Sequence, residues 1–172
     1  MILRCTAKLL KELGATPSEC LGPEGDLESW HANLLRIDRR KCLLVTNDAT
    51  LYSVFVPALR KPQFQGIADV CGQAIFRSLR LAGFTQDQIE AALDALHGEA
   101  GFQFAKTNNR RVIGSMNDLR FQIEWIIESD RGLERCAIDE VNARINRIPM
   151  SAIRPHTYSV DALRDRLDAL LA

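Results

Sequence analysis

The spacing of hydrophobic positions changes near residue 60, and this change separates the predicted strands from most of the predicted helices. Three runs rich in Leu, Val, Tyr and Phe occupy residues 30–37, 41–46 and 51–56, which is typical of strands. Only short polar segments separate these runs. Because short connections join antiparallel neighbours, the pattern predicts a β-meander that ends at Pro57.

Beyond Pro57, apolar residues recur every three or four positions, which indicates amphipathic helices. The predicted helices cover residues 63–82, 85–97, 110–128 and 133–147, and Ser159 is suited to cap a last helix. Thr85 and Gln88 have the spacing of a capping box. Residues 101–106 are predicted to form a strand between the second and third of these helices.

The first twenty residues predict three short elements. Residues 2–5 have the composition of a strand, and Thr6 is suited to cap a short helix that Gly14 ends. The segment from Thr16 to Glu19 has the form of a second capping box, so it predicts another brief helix.

These elements predict an α+β fold in which a small antiparallel sheet packs one face against helices that mostly follow it in the chain. Residues 1–130 are assigned to an α+β core domain. Residues 131–172 are assigned to a C-terminal helical extension that packs on the same domain, with 149–158 as the candidate linker.

Composition and charge fit one ordinary globular domain. The chain has 172 residues, is 47% hydrophobic, and balances 22 Lys and Arg against 22 Asp and Glu. These values exclude a disordered chain, a coiled coil and a disulfide-rich miniprotein. Zero net charge weakens any general attraction to nucleic acid or membrane.

The ends and the cysteines indicate a reduced cytoplasmic protein. The first residues lack the pattern of a signal peptide, and no apolar run is long enough to span a membrane. The five cysteines are scattered and show no metal-binding spacing, so we expect structural roles for them. Cys42 follows a basic run and is the one candidate for a reactive thiol.

The predicted helix 110–128 has apolar residues on two sides. At about 100° per residue, one wide face carries Val112, Met116, Leu119, Ile123, Ile126 and Ile127. Gly114, Phe121 and Trp125 lie on roughly the opposite face. A helix that is apolar on two sides is usually buried on both, so we expect a central helix, with Gly114 allowing a close approach.

Two polar seams run between these apolar faces, and the helix start is basic. Arg110, Asn117 and Glu124 form one seam, and the other contains Arg111, Ser115, Asp118 and Gln122. Asn108 or Asn109 is a natural N-cap. Free N–H groups of the first turn beside Lys106, Arg110 and Arg111 would suit a phosphate or a carboxylate. An Asp or Glu side chain elsewhere in the same chain would also supply this carboxylate.

Two segments carry a resemblance to a known family. They are residues 36–44, RIDRRKCLL, and residues 107–118, TNNRRVIGSMND. Together with the N-terminal M-x-x-R-C-T strand, they resemble an uncharacterised bacterial domain family with a T-N-x-R-x-V-x-G-S-M-N-D motif. The resemblance covers roughly residues 1–130. It implies a bacterial domain and no particular reaction.

A second basic cluster contains Arg36, Arg39, Arg40 and Lys41. If the tip of its hairpin lay near residues 106–111, seven basic groups would form a site for nucleic acid or another polyanion. Nucleic acid is possible but not favoured, because the net charge is zero and few aromatic residues interleave with the basic ones.

Enzyme motifs are absent from the sequence: it has no phosphate-binding loop, no G-x-S-x-G and no metal-binding histidine pair. No cofactor or metal is expected. A hydrolase remains an alternative in which His31, Ser115 and Asp118 come together.

The sequence therefore supports three hypotheses. The first is a non-enzymatic binding or interaction protein, whose partner is an unknown protein or an anionic ligand. The second is a nucleic-acid or phosphate binder, and the third is a hydrolase.

The candidate ligand-binding residues are Lys106, Thr107, Asn108, Asn109, Arg110, Arg111, Ser115, Asn117, Asp118, Arg36, Arg39 and Arg40. Two acidic regions, at residues 85–99 and 124–140, combine with the basic clusters to give a candidate dipolar, self-complementary or partner-binding surface. The sequence leaves the oligomeric state open.

Overall fold

The computed structural model of the chain describes residues 1–19, 27–97, 101–155 and 157–172. Its strands are β1 (Ile2–Cys5), β2 (Ser29–Ile37), β3 (Arg40–Asn47), β4 (Ser53–Val56) and β5 (Gln103–Lys106). They form one sheet in the order β4-β3-β2-β1-β5. The antiparallel meander β2-β3-β4 is confirmed.

The sheet is mixed, whereas the sequence pattern had predicted an antiparallel one. β1 lies between β2 and β5 and runs parallel to both. Parallel neighbours need long crossover connections. Here the chain between β1 and β2 includes a helix, and helices also separate β4 from β5.

The helices are α1 (Ala7–Leu13), α2 (Lys61–Gln65), α3 (Ile67–Leu81), α4 (Gln86–His97), α5 (Arg110–Ser129), α6 (Ile138–Ile145) and α7 (Ser159–Leu171), with a 3-10 turn at Ser151–Ile153. The α+β class is confirmed. The capping box at the start of α4 is also confirmed, because Thr85 and Gln88 exchange hydrogen bonds between side chain and backbone.

Three helix predictions differ from the structure. The predicted helix 63–82 is two helices that meet at Gly66. The predicted helix 133–147 begins only at Ile138. Residues 15–19 do not form the brief helix predicted from Thr16, and the rest of that prediction lies outside the described residues.

Helices cover both faces of the sheet, so the prediction of one covered face was wrong. One core lies between the sheet and the helices α1, α3, α4 and α7, and the other lies between the sheet and α5 and α6. Successive strand residues point to opposite faces, and residues 42–45 of β3 are all buried and apolar. A strand with two apolar faces requires a helical layer on each.

Helix α5 buries one face only. Its six residues Val112, Met116, Leu119, Ile123, Ile126 and Ile127 are buried, as their spacing predicts. Gly114 is exposed, and Phe121 and Trp125 are 58% and 59% exposed. The prediction that α5 is buried on two sides was therefore wrong for this chain.

Asn142 of α6 and Asn146, the C-cap of the same helix, cover the free edge of β4. The Asn142 side chain accepts a hydrogen bond from Phe55 N (2.7 Å) and donates one to Phe55 O (3.1 Å). Asn146 repeats this pattern on Ser53, at 2.8 and 2.7 Å. Because the two amides are one helical turn apart, they bond alternate residues of the strand as a neighbouring strand would.

Residues after 130 contribute to both cores. Val141 and Ile145 of α6 pack with α5, while Val160, Leu163 and Leu167 of α7 pack in the opposite core. Among the helices that the structure describes, none has the length and hydrophobicity needed to cross a membrane.

Candidate functional site

A buried polar cluster lies on the α5 side of the sheet. Arg4 Nε donates to Ser29 Oγ (2.9 Å), and Ser29 Oγ donates to Asp48 Oδ2 (2.9 Å). Asp48 Oδ1 is 2.5 Å from His31 Nδ1, and its Oδ2 is 3.5 Å from Arg4 Nε. All four side chains are at most 3% exposed, so the cluster is sealed from solvent.

Strand register brings these residues together. Arg4 of β1 lies beside His31 of β2, which lies beside Thr46 of β3. Asp48 follows the end of β3, where its backbone N–H donates to Ser29 O (3.0 Å). A buried Arg–Asp pair costs desolvation energy, which hydrogen bonds to Ser29 and His31 offset.

His31 joins this cluster to the start of α5. The backbone N–H of Asn109 donates to His31 Nε2 over 3.4 Å. Because Nε2 accepts that bond, the ring proton lies on Nδ1 and is donated to Asp48. His31 therefore connects the sheet to the residue that directly precedes the helix.

Asn109, and not Asn108, is the N-cap of α5. Its side-chain oxygen accepts hydrogen bonds from Arg111 N (3.0 Å) and Val112 N (3.3 Å). The Ile113 amide bonds Asn109 O, as in a regular helix. Asn109 therefore occupies two N–H groups of the first turn that were expected to be free for an anion.

Arg111 is held by backbone carbonyl oxygens. Its guanidinium donates to Asp48 O (2.7 Å) and to Ala152 O (3.0 Å). The internal partners of this cation are thus two carbonyl oxygens, and none of its contacts among the described residues is with a carboxylate. Arg111 connects the start of α5 to the β3–β4 turn and to the 3-10 turn.

The other residues of the predicted anion site lie at the surface. Lys106, Asn108 and Arg110 are exposed, and Thr107 is half-buried. The structure therefore brings an exposed basic pair, Lys106 and Arg110, to the start of α5. Anion binding by this pair stays a prediction.

The two polar seams of α5 separate as the spacing predicts. Ser115, Asp118 and Gln122 line a cleft of about 180 Å³ against residues 148–152. Asn117 is exposed on the other seam. There Arg120 Nε is 3.8 Å from Glu124 Oε1.

The second basic cluster lies at the opposite end of α5, so the two clusters do not converge. The hairpin tip packs after the C-terminus of α5, where Leu133 N donates to Asp38 Oδ2 (2.7 Å). Arg40 forms an ion pair with Glu134, while Arg36 and Arg39 are exposed. Twenty residues of helix span about 30 Å, which separates these cations from Arg110.

The hydrolase arrangement of His31, Ser115 and Asp118 is not formed. His31 is fully buried and bonds Asp48 and Asn109, whereas Ser115 and Asp118 line a surface cleft. His97 bonds the Leu93 carbonyl within its own helix, and His156 lies outside the described residues. Across the described part of the chain, no cluster of His, Cys, Asp or Glu is suited to hold a metal.

A further cleft lies between α3 and α6, beside the edge of β4, and sequence analysis missed it. Its volume is about 300 Å³. Arg77 of α3 and Asp139 of α6 bridge its rim with two hydrogen bonds of 2.9 and 2.6 Å. Hydrogen bonding to Arg77 lowers the pKa of Asp139. The cleft joins helices about 60 residues apart, so no local pattern marks it; the one hint is the small Ala74 and Ala143 that face it.

Comparison with known proteins gives one finding. A sequence model of DUF6933, a domain of unknown function, matches residues 2–161. The match reaches beyond the resemblance to residues 1–130 and takes in α6 and the start of α7. No curated protein matches the chain.

Proposed function

The chain belongs to the DUF6933 family of domains of unknown function, and from that premise we propose that it is a non-enzymatic binding protein. Its ligand is a small molecule or side chain with an apolar body and a carboxylate, held in the cleft between α3 and α6. The open, largely apolar cleft of about 300 Å³ carries this proposal. That volume lies at the lower end of the range for ligand sites.

Apolar side chains form most of the cleft wall. They are Val54, Val56, Pro57, Ala74, Leu81, Ala82, Ile138, Ala143 and Val160. Leu81 is 59% exposed although it lines the cleft, so a ligand would remove apolar surface from water on both sides of the contact. A group of the size of a water molecule occupies about 30 Å³. A cleft of about 300 Å³ therefore holds a ligand of about ten heavy atoms.

The polar groups inside the cleft already have partners. Asn142 and Asn146 bond the backbone of β4, and the Tyr52 hydroxyl is 2.7 Å from Ser78 Oγ. A polar ligand body would lose its hydration without gaining new hydrogen bonds. This favours an apolar body.

The rim of the cleft favours a negative head group. Arg77 and Asp139 neutralise each other. Arg147 also lines the cleft and is exposed, and it has no side-chain hydrogen bond or ion pair among the described residues. A carboxylate on the ligand would pair with Arg147.

The test is thermal unfolding of the protein with straight-chain carboxylates of about six to ten carbons and with the matching alcohols. A carboxylate at 100 times its Kd should stabilise the protein by about 2.7 kcal/mol. We expect Ala143→Leu to abolish the shift by filling the cleft, and Arg147→Gln to remove the preference for carboxylates over alcohols.

Two exposed residues of α7 supply the matched controls. Ala169→Leu and Arg166→Gln make the same changes of side chain away from the cleft, so the ligand response should be retained. A wild-type protein that no member of the panel stabilises would contradict the proposal. An unchanged response in Ala143→Leu would contradict the assignment of the site.

A further inference from the structure

The outer face of α5 carries an exposed aromatic pair. Phe121 and Trp125 are one helical turn apart, and more than half of each side chain is exposed. The Arg120 guanidinium lies 4.5 Å from the centre of the Phe121 ring. Large exposed aromatics at adjacent positions are typical of interaction surfaces.

Charged, small and aromatic side chains follow one another in a fixed order along this face of α5. On a regular helix, Arg110, Gly114, Phe121, Trp125 and Glu128 fall within one arc, opposite the six buried residues. From the N-terminus to the C-terminus the face therefore presents a cation, a gap, two aromatics and an anion. Arg110 and Glu128 are exposed, and neither forms an ion pair with another described residue.

We propose that this face binds the same face of a second copy of the chain, with the two α5 helices antiparallel. A two-fold axis near residues 119 and 120 places Trp125 of each copy opposite Gly114 of the other. The same axis brings Glu128 of each copy within one residue of Arg110 of the other, and it places the two Phe121 rings near the axis. Such an interface is closed and self-complementary.

Gly114 provides the space that Trp125 requires. Apart from the glycine, its two chain neighbours and the nearby backbone of its own helix, no atom lies within 4 Å of the position that a Cβ on Gly114 would occupy. Glycine lowers helix stability, and neither a turn nor a positive φ explains it at this position in α5. An indole ring packed against the bare backbone gives the glycine a role in the interface.

Charge complementarity selects the antiparallel orientation. A parallel pair would oppose Arg110 to Arg110 and Glu128 to Glu128, which is unfavourable. In the antiparallel register, Asp118 of one copy lies opposite Phe121 of the other, and Glu124 of one copy lies opposite Ser115 of the other. The carboxylates that flank the aromatic pair therefore do not oppose one another.

The test is the molar mass of the full chain by light scattering and sedimentation over a wide concentration range. We expect a dimer for the wild type. Gly114→Leu should raise the melting temperature of the monomer, because leucine favours helix, and should abolish dimerisation because its side chain occupies the space for Trp125. Gly72→Ala removes a helical glycine in α3 and should leave the dimer intact.

Charge reversal tests the orientation. Arg110→Glu alone and Glu128→Arg alone should each weaken the dimer by about tenfold or more, and the double variant should restore it. A wild type that is monomeric at every concentration overturns the proposal. A dimer that Gly114→Leu leaves intact overturns it as well, as does a double variant no tighter than the single ones.

Discussion

The Asp48 carboxylate contacts side chains from two different strands. Ser29 and His31 of β2 bond its two oxygens, and Arg4 of β1 lies 3.5 Å away. The Asp48 backbone carbonyl also accepts a bond from Arg111 at the start of α5. Asp48 thus fixes the position of the β3–β4 turn, through its carboxylate relative to two strands and through its carbonyl relative to a helix.

We predict that Asp48→Ala strongly destabilises the fold. Breaking a buried ion pair leaves Arg4 without its counter-charge, which costs about 3–5 kcal/mol. Urea unfolding followed by circular dichroism measures the loss. Asp118→Ala, at an exposed position, should change stability by less than about 0.5 kcal/mol. Similar losses in the two variants would show that the cluster does not stabilise the fold.

Burial also determines the chemistry of the cysteines that the structure describes. It raises the pKa of Cys5 and Cys71 to about 12 and that of Cys136 to about 11. It raises the pKa of Cys42 too, so the thiol that the sequence marked as a candidate for reactivity is a buried core residue.

We therefore predict that these four thiols resist alkylation in the folded protein. Only the thiolate reacts, and at a pH of about 8 these groups remain protonated and enclosed. Mass spectrometry after iodoacetamide treatment should find them unmodified without urea and modified in urea. Rapid modification of Cys42 in the native protein would contradict this assignment.

Among the elements, β4 depends on a helix for its edge. Asn142 and Asn146 supply the hydrogen bonds that a further strand beside β4 would have supplied. The sequence gives no sign of this, because two asparagines four residues apart are ordinary on a helix surface. The contact between α6 and β4 joins residues about 90 positions apart.

We predict that Asn142→Leu destabilises the protein by about 1–3 kcal/mol, because it leaves the N–H and C=O of Phe55 without partners. Chemical denaturation gives the value. Asn117→Leu places the same side chain on an exposed face of α5 and should have a much smaller effect. An equally small effect of Asn142→Leu would mean that water replaces the amide.

Helix α5 shows what hydrophobic periodicity can and cannot predict about burial. The 3.6-residue spacing predicted all six of its buried residues correctly, because the apolar stripe of a helix follows from its geometry. The same spacing misassigned Phe121 and Trp125 as buried within this chain. Periodicity identifies an apolar face and does not say what covers it.

At the level of the whole molecule, the sheet lies between two helical layers, and the chain after residue 130 completes both. Val141 and Ile145 close one core, and Val160, Leu163 and Leu167 close the other. The family match up to residue 161 is consistent with this shared packing. The core domain assigned to residues 1–130 therefore exposes apolar surface on both faces when it stands alone.

We predict that a protein ending at Asp130 does not fold cooperatively. It loses the bonds that cover β4 and the apolar contacts of α6 and α7, and a fold has only about 5–15 kcal/mol of net stability. Circular dichroism during urea titration tests this, with a protein ending at Leu170 as the control. A cooperative transition in the shorter protein would show that residues 1–130 fold independently.

The sequence by itself determined the features that depend on near neighbours along the chain. It determined the meander, the buried stripe of α5, the capping box at Thr85 and Gln88, and a cap from the asparagine pair at the start of α5. Its contiguous motif residues also indicated an uncharacterised domain family, and a sequence model of such a family matches the chain. The meander, the buried stripe and the two caps each follow from backbone geometry over a few residues.

Only the tertiary structure decided which distant residues meet. It placed β1 parallel to its neighbours, joined Arg4 to Asp48, separated the two basic clusters and opened the cleft between α3 and α6. These contacts depend on how whole elements pack, and many packings satisfy the same local pattern. The two candidate interaction surfaces, the α3–α6 cleft and the outer face of α5, therefore became visible only in the folded chain.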